Sequence, residues 1–447
     1  MFLQRFGLWL LLLTIIFTTT GCGGPSAVEI EGNKPVKIKI WRTFDGPDTF
    51  EDIMMAYQKI HPNVSFDYKR LRIEEYENEL IQALARGTGP DIFSLHNTWI
   101  FGYTDLIAPL PSTVSIPFTQ IKGTIKKEKV TELQKRKTTS IQELKKNYVD
   151  VVSEDVVKNE KIYGLPLALD TLALYYNSEL LNAAGIANPP QTWSAFQEAV
   201  KKITRLDIVG NILQSGAAIG TGKNIERASD LLSVLMLQSG TEITGSQGQA
   251  IFGTEQNGRT PGMDTMRFYT DFANPLKEVY TWNQEQPNSF DAFVSGKTAF
   301  FFGYAYHLPL LKTQAPKLDI RVTALPQIEG SRVVNFANYW VETVSKASPN
   351  QKWAWDFIEF ATSKDRAKTY LEKSGKPTAR RDLISSQIEE EYLSVFVNQI
   401  LTAKSWYHGK NAPVAEQALI DLIDEILSGS PYQEAFSRAQ NKINQTL

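Results

Sequence analysis

Val36-Lys37-Ile38-Lys39-Ile40 alternates apolar and basic residues without a break, and Asp91-Ile92-Phe93-Ser94-Leu95 closes the segment it opens. Strict alternation places one face of a strand against a core. After the turn Asp45-Gly46-Pro47, Asp48 can cap a helix, with Glu51 placed for a capping box. Phe50, Ile53, Met54, Tyr57 and Ile60 then share one helical face, and His61-Pro62 ends the helix. Val64, Phe66 and Tyr68 alternate as a second strand. A second helix carries Tyr76, Leu80, Ile81 and Leu84 on one side and stops at Gly87-Thr88-Gly89-Pro90. Strand, helix, strand, helix, strand with tight connections predicts a parallel sheet wrapped by helices. Ligands of such sheets sit beyond the carboxyl ends of the strands. Thr43, Phe44 and Asp45 after the first strand, and His96, Asn97 and Trp99 after the third, are therefore the first site candidates.

The chain has 447 residues, more than one core usually supports, so two domains are expected. With 47 basic against 49 acidic residues it lacks the concentrated basic field of a nucleic-acid partner. A single cysteine, Cys22, permits no intrachain disulfide, and stability must come from packed cores. The segment 112–157 crowds Lys122, Lys126, Lys127, Lys129, Lys135, Arg136 and Lys137 together. It is expected to form a solvated helical hairpin or a mobile excursion, with a docking surface as the alternative.

At the N-terminus, Arg5 precedes about a dozen mostly apolar residues, and small residues lead into Gly21-Cys22. This is the layout of a secretory signal peptide over 1–21. It also resembles the lipobox of bacterial lipoproteins, except that Thr19 stands where Leu is usual. The resemblance implies cleavage before Cys22 and acylation of its thiol, and more than one acyl chain is needed for stable anchoring. Small, polar and breaker residues from 22 to 35 are expected to form a flexible tether with a reach of about 20 Å.

Catalytic readings find little support. The four histidines, His61, His96, His307 and His408, show no metal-ligand spacing, and there is no G-x-S-x-G elbow. The Gly216–Lys223 stretch has Ala217 and Asn224 where a phosphate loop needs other residues. No carboxylate pair stands out for glycoside hydrolysis. Neither enzyme activity, cofactor nor metal is expected.

Lys161-Ile162-Tyr163-Gly164-Leu165-Pro166, followed by Leu172-Ala173-Leu174-Tyr175-Tyr176-Asn177, resembles the family 1 extracellular solute-binding proteins of bacterial ABC importers. Other stretches agree in order. They are Ala85 to Phe93, Pro189-Pro190-Gln191-Thr192-Trp193, Phe293 to Gly303, Ala324-Leu325-Pro326, Trp353 to Ile358 and Ala435 to Gln440. Together they cover nearly all of the chain after Cys22.

The resemblance implies an α/β, two-lobe periplasmic-binding-protein-like fold of type II, each lobe a sheet wrapped by helices. The expected boundaries are 36–167 with 325–363 for the first lobe and 168–324 with 364–447 for the second. Hinge crossings then fall near 165–170, 322–326 and 362–366. Ligand would lie between the lobes and favour their closed form. Phe44, Asp45, Asn97, Trp99, Asp170, Trp282, Tyr304, Asn338, Trp340 and Arg380 are the candidate ligand contacts. Flat aromatic faces with planar polar groups suit a carbohydrate. The expected partners are a small-molecule ligand and an ABC importer permease, with the membrane reached through Cys22. A monomer on the outer face of the cytoplasmic membrane is expected. A different solute (polyamine, peptide or glycerophosphodiester) and a sensor or adhesin without transport remain as alternatives.

Overall fold

The computed structural model describes residues 27–123 and 128–447. Cys22 and the apolar run before it lie outside the described residues.

The first lobe is built on a sheet in which the strand Val36–Thr43 pairs in parallel with Val64–Leu71 and Ile92–His96. Trp340–Ser345 then runs antiparallel to Ile92–His96, bringing a distant part of the chain into the middle of the sheet. Ile38 and Ile40 are buried as the alternation predicts, and the helix Pro47–Ile60 covers them with Phe50, Ile53 and Tyr57. That helix starts one residue earlier than its expected cap. Gly46 is the N-cap, Pro47 takes the first position with its fixed φ, and no side chain caps the turn.

The second lobe has a five-stranded sheet, in which Ala173–Asn177 lies antiparallel between Thr298–Gly303 and Ile320–Thr323, and Ile212–Ala217 pairs in parallel with Thr298–Gly303. Phe196, Leu231, Leu232, Tyr269 and Phe300 form part of its separate core. Between the two sheets a small ladder joins Asp170–Thr171, Asn335–Asn338 and Ala403–Lys404.

Three stretches depart from the sequence reading. The helix Lys364–Ser374, expected in the second lobe, packs on the first. Its Tyr370 meets Phe50 at 5.4 Å, and Lys373 pairs with Asp52 at 2.6 Å. The expected tether is already folded from residue 27. Ala27–Asn33 is a helix whose Gly32 lies so close to Thr131 that an added Cβ would come within 2.6 Å of the threonine methyl. The basic segment forms a β-hairpin, Thr113–Lys122 paired with Glu128–Lys137, because Val114 and Ile116 alternate into the core of the first lobe. Two short helices, Ile141–Asn147 and Asp150–Val156, follow it.

Candidate ligand-binding cleft

A cavity of about 460 Å³ opens where the parallel strands of the first lobe end and the second lobe faces them. Its size falls in the range of small-molecule sites. The first-lobe wall begins at Phe44, the residue after Val36–Thr43. Its φ of 62° is left-handed, a conformation that side-chain-bearing residues rarely adopt. The bend turns the Phe44 ring toward the cavity, where it stays 57% exposed and meets Trp340 edge-on at 5.7 Å. Trp340 is the hub of this wall. It also contacts Trp99 at 5.4 Å and His96 at 5.6 Å.

Beneath these rings lies a buried ion network. Arg42 reaches Glu342 at 2.9 Å and Asp45 at 3.3 Å, and its Nε donates to Ser94 Oγ at 3.1 Å. Lys376 Nζ donates to Asp45 Oδ1 at 2.6 Å, and the Tyr370 hydroxyl donates to Oδ2 at 2.8 Å. Burial pushes the Asp45 carboxyl up, but the Arg42 and Lys376 charges outweigh it and hold the group below its ordinary value. At Glu342 burial prevails over the pull of Arg42 and holds the carboxyl above its ordinary value.

Asp170 sits on the connection between the sheets. Its carboxylate accepts N–H bonds from Thr171 at 2.8 Å, Ala305 at 3.0 Å and Tyr306 at 3.3 Å. Burial outweighs these donors and pushes its pKa up to about 7. His96 shares a contact with Asn338 Oδ1 at 3.3 Å. Burial, aided by the Arg227 cation of the opposite lobe, pushes its pKa down to about 4, so its ring is neutral at ordinary pH.

The second-lobe wall is made by Glu226, Arg227, Tyr306 and Glu416. Arg227 has a φ of 57° and precedes the helix Ala228–Gln238. It forms a fork with Asp230, both bonds 2.8 Å, and reaches Glu416 at 3.2 Å. Glu226 pairs with His307 at 3.2 Å. The Tyr306 ring lies on the cavity side of Tyr304, stacked at 5.8 Å.

Six of the sequence candidates line this cavity: Phe44, Asp45, Trp99, Asp170, Asn338 and Trp340. Four do not. Asn97 is buried and donates to Asp155 at 2.9 Å, because the strand ends at His96 in the cavity and Asn97 opens a short 3₁₀ turn that takes it inward. Trp282 is 0% exposed in the second-lobe core, since the polar loop around it folds inward beneath the helix Pro261–Asp271. Tyr304 is equally buried and donates to Asp230 at 2.6 Å, leaving the surface to Tyr306. Arg380 is held by a fork to Asp382 at 2.9 Å and by the Thr362 carbonyl at 3.0 Å. The residues missed are Arg42, Glu226, Arg227, Tyr306, Tyr370, Lys376 and Glu416. Arg42 had a signal, a charged residue at an alternating position at the end of a strand. Tyr370 and Lys376 had none, because a helix distant in sequence delivers them.

The profile of the bacterial extracellular solute-binding proteins matches residues 44–368. A binding protein of Brucella abortus is 22% identical over 342 residues, covering 73% of this chain and 71% of that protein. The galactooligosaccharide-binding protein of Bacillus subtilis is 20% identical and covers 85% of this chain and 82% of its own. The cyclic alpha-maltosyl-1,6-maltose binding protein from Arthrobacter globiformis superposes with a TM-score of 0.72 at 17% identity, over 92% of this chain and 98% of that one. It therefore has the same two-lobed fold. The profile spans most of the chain from the first strand's end to the helix that carries Tyr370, and the chain belongs to the bacterial extracellular solute-binding protein family.

Proposed function

We propose that this solute-binding protein captures a sugar or oligosaccharide between its lobes and delivers it to an ABC importer, held at the membrane by acyl chains on Cys22. The observation that carries the ligand class is the Trp340 cluster. An apolar ring surface with Phe44 and Trp99 stands beside the carboxylate of Asp170, which retains acceptor capacity on Oδ2. Aromatic faces cover the apolar side of a pyranose, and a carboxylate accepts from its hydroxyls. The cations of the cleft support the same reading. Arg42, Lys376 and Arg227 are each matched to carboxylates of the protein, so the cleft offers a neutral ligand balanced charge. The carbohydrate ligands named for the Bacillus and Arthrobacter relatives agree with it.

Ligand-induced thermal shifts across a glycan panel test the proposal. A response to one sugar class is expected. No response to any glycan, with a shift from an amino acid, peptide or polyamine, would overturn it. The anchor is tested separately: Cys22→Ser should leave ligand binding intact and release the protein from membranes.

A further inference from the structure

The hairpin Thr113–Lys122/Glu128–Lys137 has two faces with different tasks. Val114 and Ile116 point into the first lobe, and Arg136 on the same face pairs with the buried Asp356 of the helix Gln351–Ala361. The opposite face carries Pro117 and Thr131, and the helix Ala27–Asn33 lies across them through Gly32. The same face continues to Ile121, which is 71% exposed, and to Leu133 and Lys135, also exposed. On the covering helix, Ile30 is exposed as well.

Two facts say what meets this face. The first is how near Cys22 lies in sequence to the helix Ala27–Asn33. Only four residues separate Cys22 from Ala27, so the five Cα-to-Cα steps between them reach at most about 18 Å when fully extended. A lipid on Cys22 therefore brings the bilayer within that distance of Ala27, the start of the helix whose Gly32 packs on the hairpin. The second is charge. Residues 113–137 hold seven basic and two acidic side chains in a protein whose net charge is only −2. Of the described basic residues, Lys122 is paired with Glu132 and Arg136 with Asp356, while Lys135 and Lys137 have no carboxylate within ion-pair distance among the described residues. Exposed lysines flanked by exposed apolar side chains, close to a lipid anchor, are the arrangement that anionic headgroups attract.

We infer that the hairpin, clamped by the helix Ala27–Asn33, rests on the anionic headgroup surface of the bilayer into which the Cys22 lipid inserts. This rests on the lipid-anchor reading of Cys22. Phe118 of the hairpin meets His61 at 5.9 Å, at the end of the sheet opposite the cleft. The contact thus holds the cleft toward solution, where solute is captured. Electrostatic attachment of this kind is reversible and screened by salt, so it leaves the lobe free to turn toward a permease.

The test uses the acylated chain from Cys22 onward, purified from membranes and placed in vesicles. Acylation consumes the Cys22 thiol, so Ile121→Cys provides a single site for a fluorophore, and Leu276→Cys on the second lobe provides a distant one. In phosphatidylglycerol vesicles containing headgroup-spin-labelled lipid, quenching at position 121 is expected to exceed that at 276 several-fold. It should drop to the level of 276 in pure phosphatidylcholine, in high salt, and in the Lys135→Glu/Lys137→Glu variant. Equal quenching at the two positions, or quenching at 121 that ignores lipid charge, overturns the inference. So does a 121 label shielded in a concentration-dependent way, which would mean that a second copy covers the face. The mass of the N-terminal peptide separates the two readings. An unacylated Cys22 sinks the anchor and this inference together, whereas an acylated chain with an unquenched hairpin sinks this inference alone.

Discussion

The Asp170 carboxylate accepts the Ala305 N–H at 3.0 Å, so the connection between the two sheets is tied directly to the loop that follows the second-lobe strand Thr298–Gly303. The same carboxyl group titrates near pH 7, because burial opposes its charge more than the N–H donors support it. Its unfolded value is 3.8, so folding takes up a proton between about pH 4 and 7, and stability from this group declines as pH rises through that window. A ligand hydroxyl donating to Oδ2 reverses the preference, since it favours the ionised form. Ligand binding should therefore release a proton near neutrality, and affinity should fall by up to about tenfold per pH unit below pH 7. Asp170→Asn should bind more weakly and without this pH dependence. Calorimetry in buffers of different ionisation enthalpy counts the proton, and a count of zero at neutral pH refutes the assignment.

Phe44 combines a left-handed backbone with an exposed ring, and two substitutions separate these features. Phe44→Ala removes the ring and keeps the strain, while Phe44→Gly removes both. Each should cost about tenfold in affinity, or ~1.4 kcal/mol. The glycine variant should be more stable than the alanine variant by about 1 kcal/mol, the usual penalty of this conformation for a residue with Cβ. Chemical denaturation and titration calorimetry give the two quantities independently. Retained affinity in Phe44→Gly would show that the ring does not touch ligand.

The architecture was legible where the signal is periodic. Ile38 and Ile40 mark the strand, and Phe50, Ile53 and Tyr57 mark its covering helix, because burial on one face imposes the period on the sequence. The ends of those strands in turn pointed to Phe44, Asp45 and Trp99. The rest of the cleft depends on facts that no local pattern records. His96 ends its strand in the cavity, while Asn97, next in the chain, opens a 3₁₀ turn and is buried in the interior. Tyr304 and Tyr306 differ only in which one lies on top of the other. Tyr370 and Lys376 reach Asp45 because a helix 325 residues away in sequence from Asp45 packs on the first lobe. In the hairpin, lysines mask the alternation of Val114 and Ile116, which decides its geometry.

Trp282 gives a direct check on that reassignment. Its ring is fully enclosed by the second-lobe core, so Trp282→Ala should destabilise the protein by about 3–5 kcal/mol through lost contacts and the cavity left behind. Ligand affinity of the folded fraction should stay within about twofold of the parent, below ~0.4 kcal/mol. Tyr304→Phe should behave alike on a smaller scale, losing only the bond to Asp230. An affinity loss for Trp282→Ala matching that of Phe44→Ala would return Trp282 to the cleft.

Asp45 lies between two cations, Arg42 and Lys376. Asp45→Asn leaves Arg42 and Lys376 with Glu342 as the one remaining carboxylate of the network, and removing one partner of a buried pair typically costs about 3–5 kcal/mol. The wild-type contribution has a defined pH window. The folded carboxyl lies below its unfolded value of 3.8, so its stabilisation is complete above that pH and disappears only as pH falls beneath it. The asparagine variant should therefore show its deficit already at neutral pH and converge on the parent in strong acid. Lys376→Met added to Asp45→Asn removes the surplus charge. The double variant should then be more stable than the sum of the two single losses predicts, by at least about 1 kcal/mol. Urea unfolding followed by tryptophan fluorescence measures all four proteins. Strict additivity would mean that Lys376 and Asp45 do not share one charge balance, and the electrostatic account of the cleft floor would fall with it.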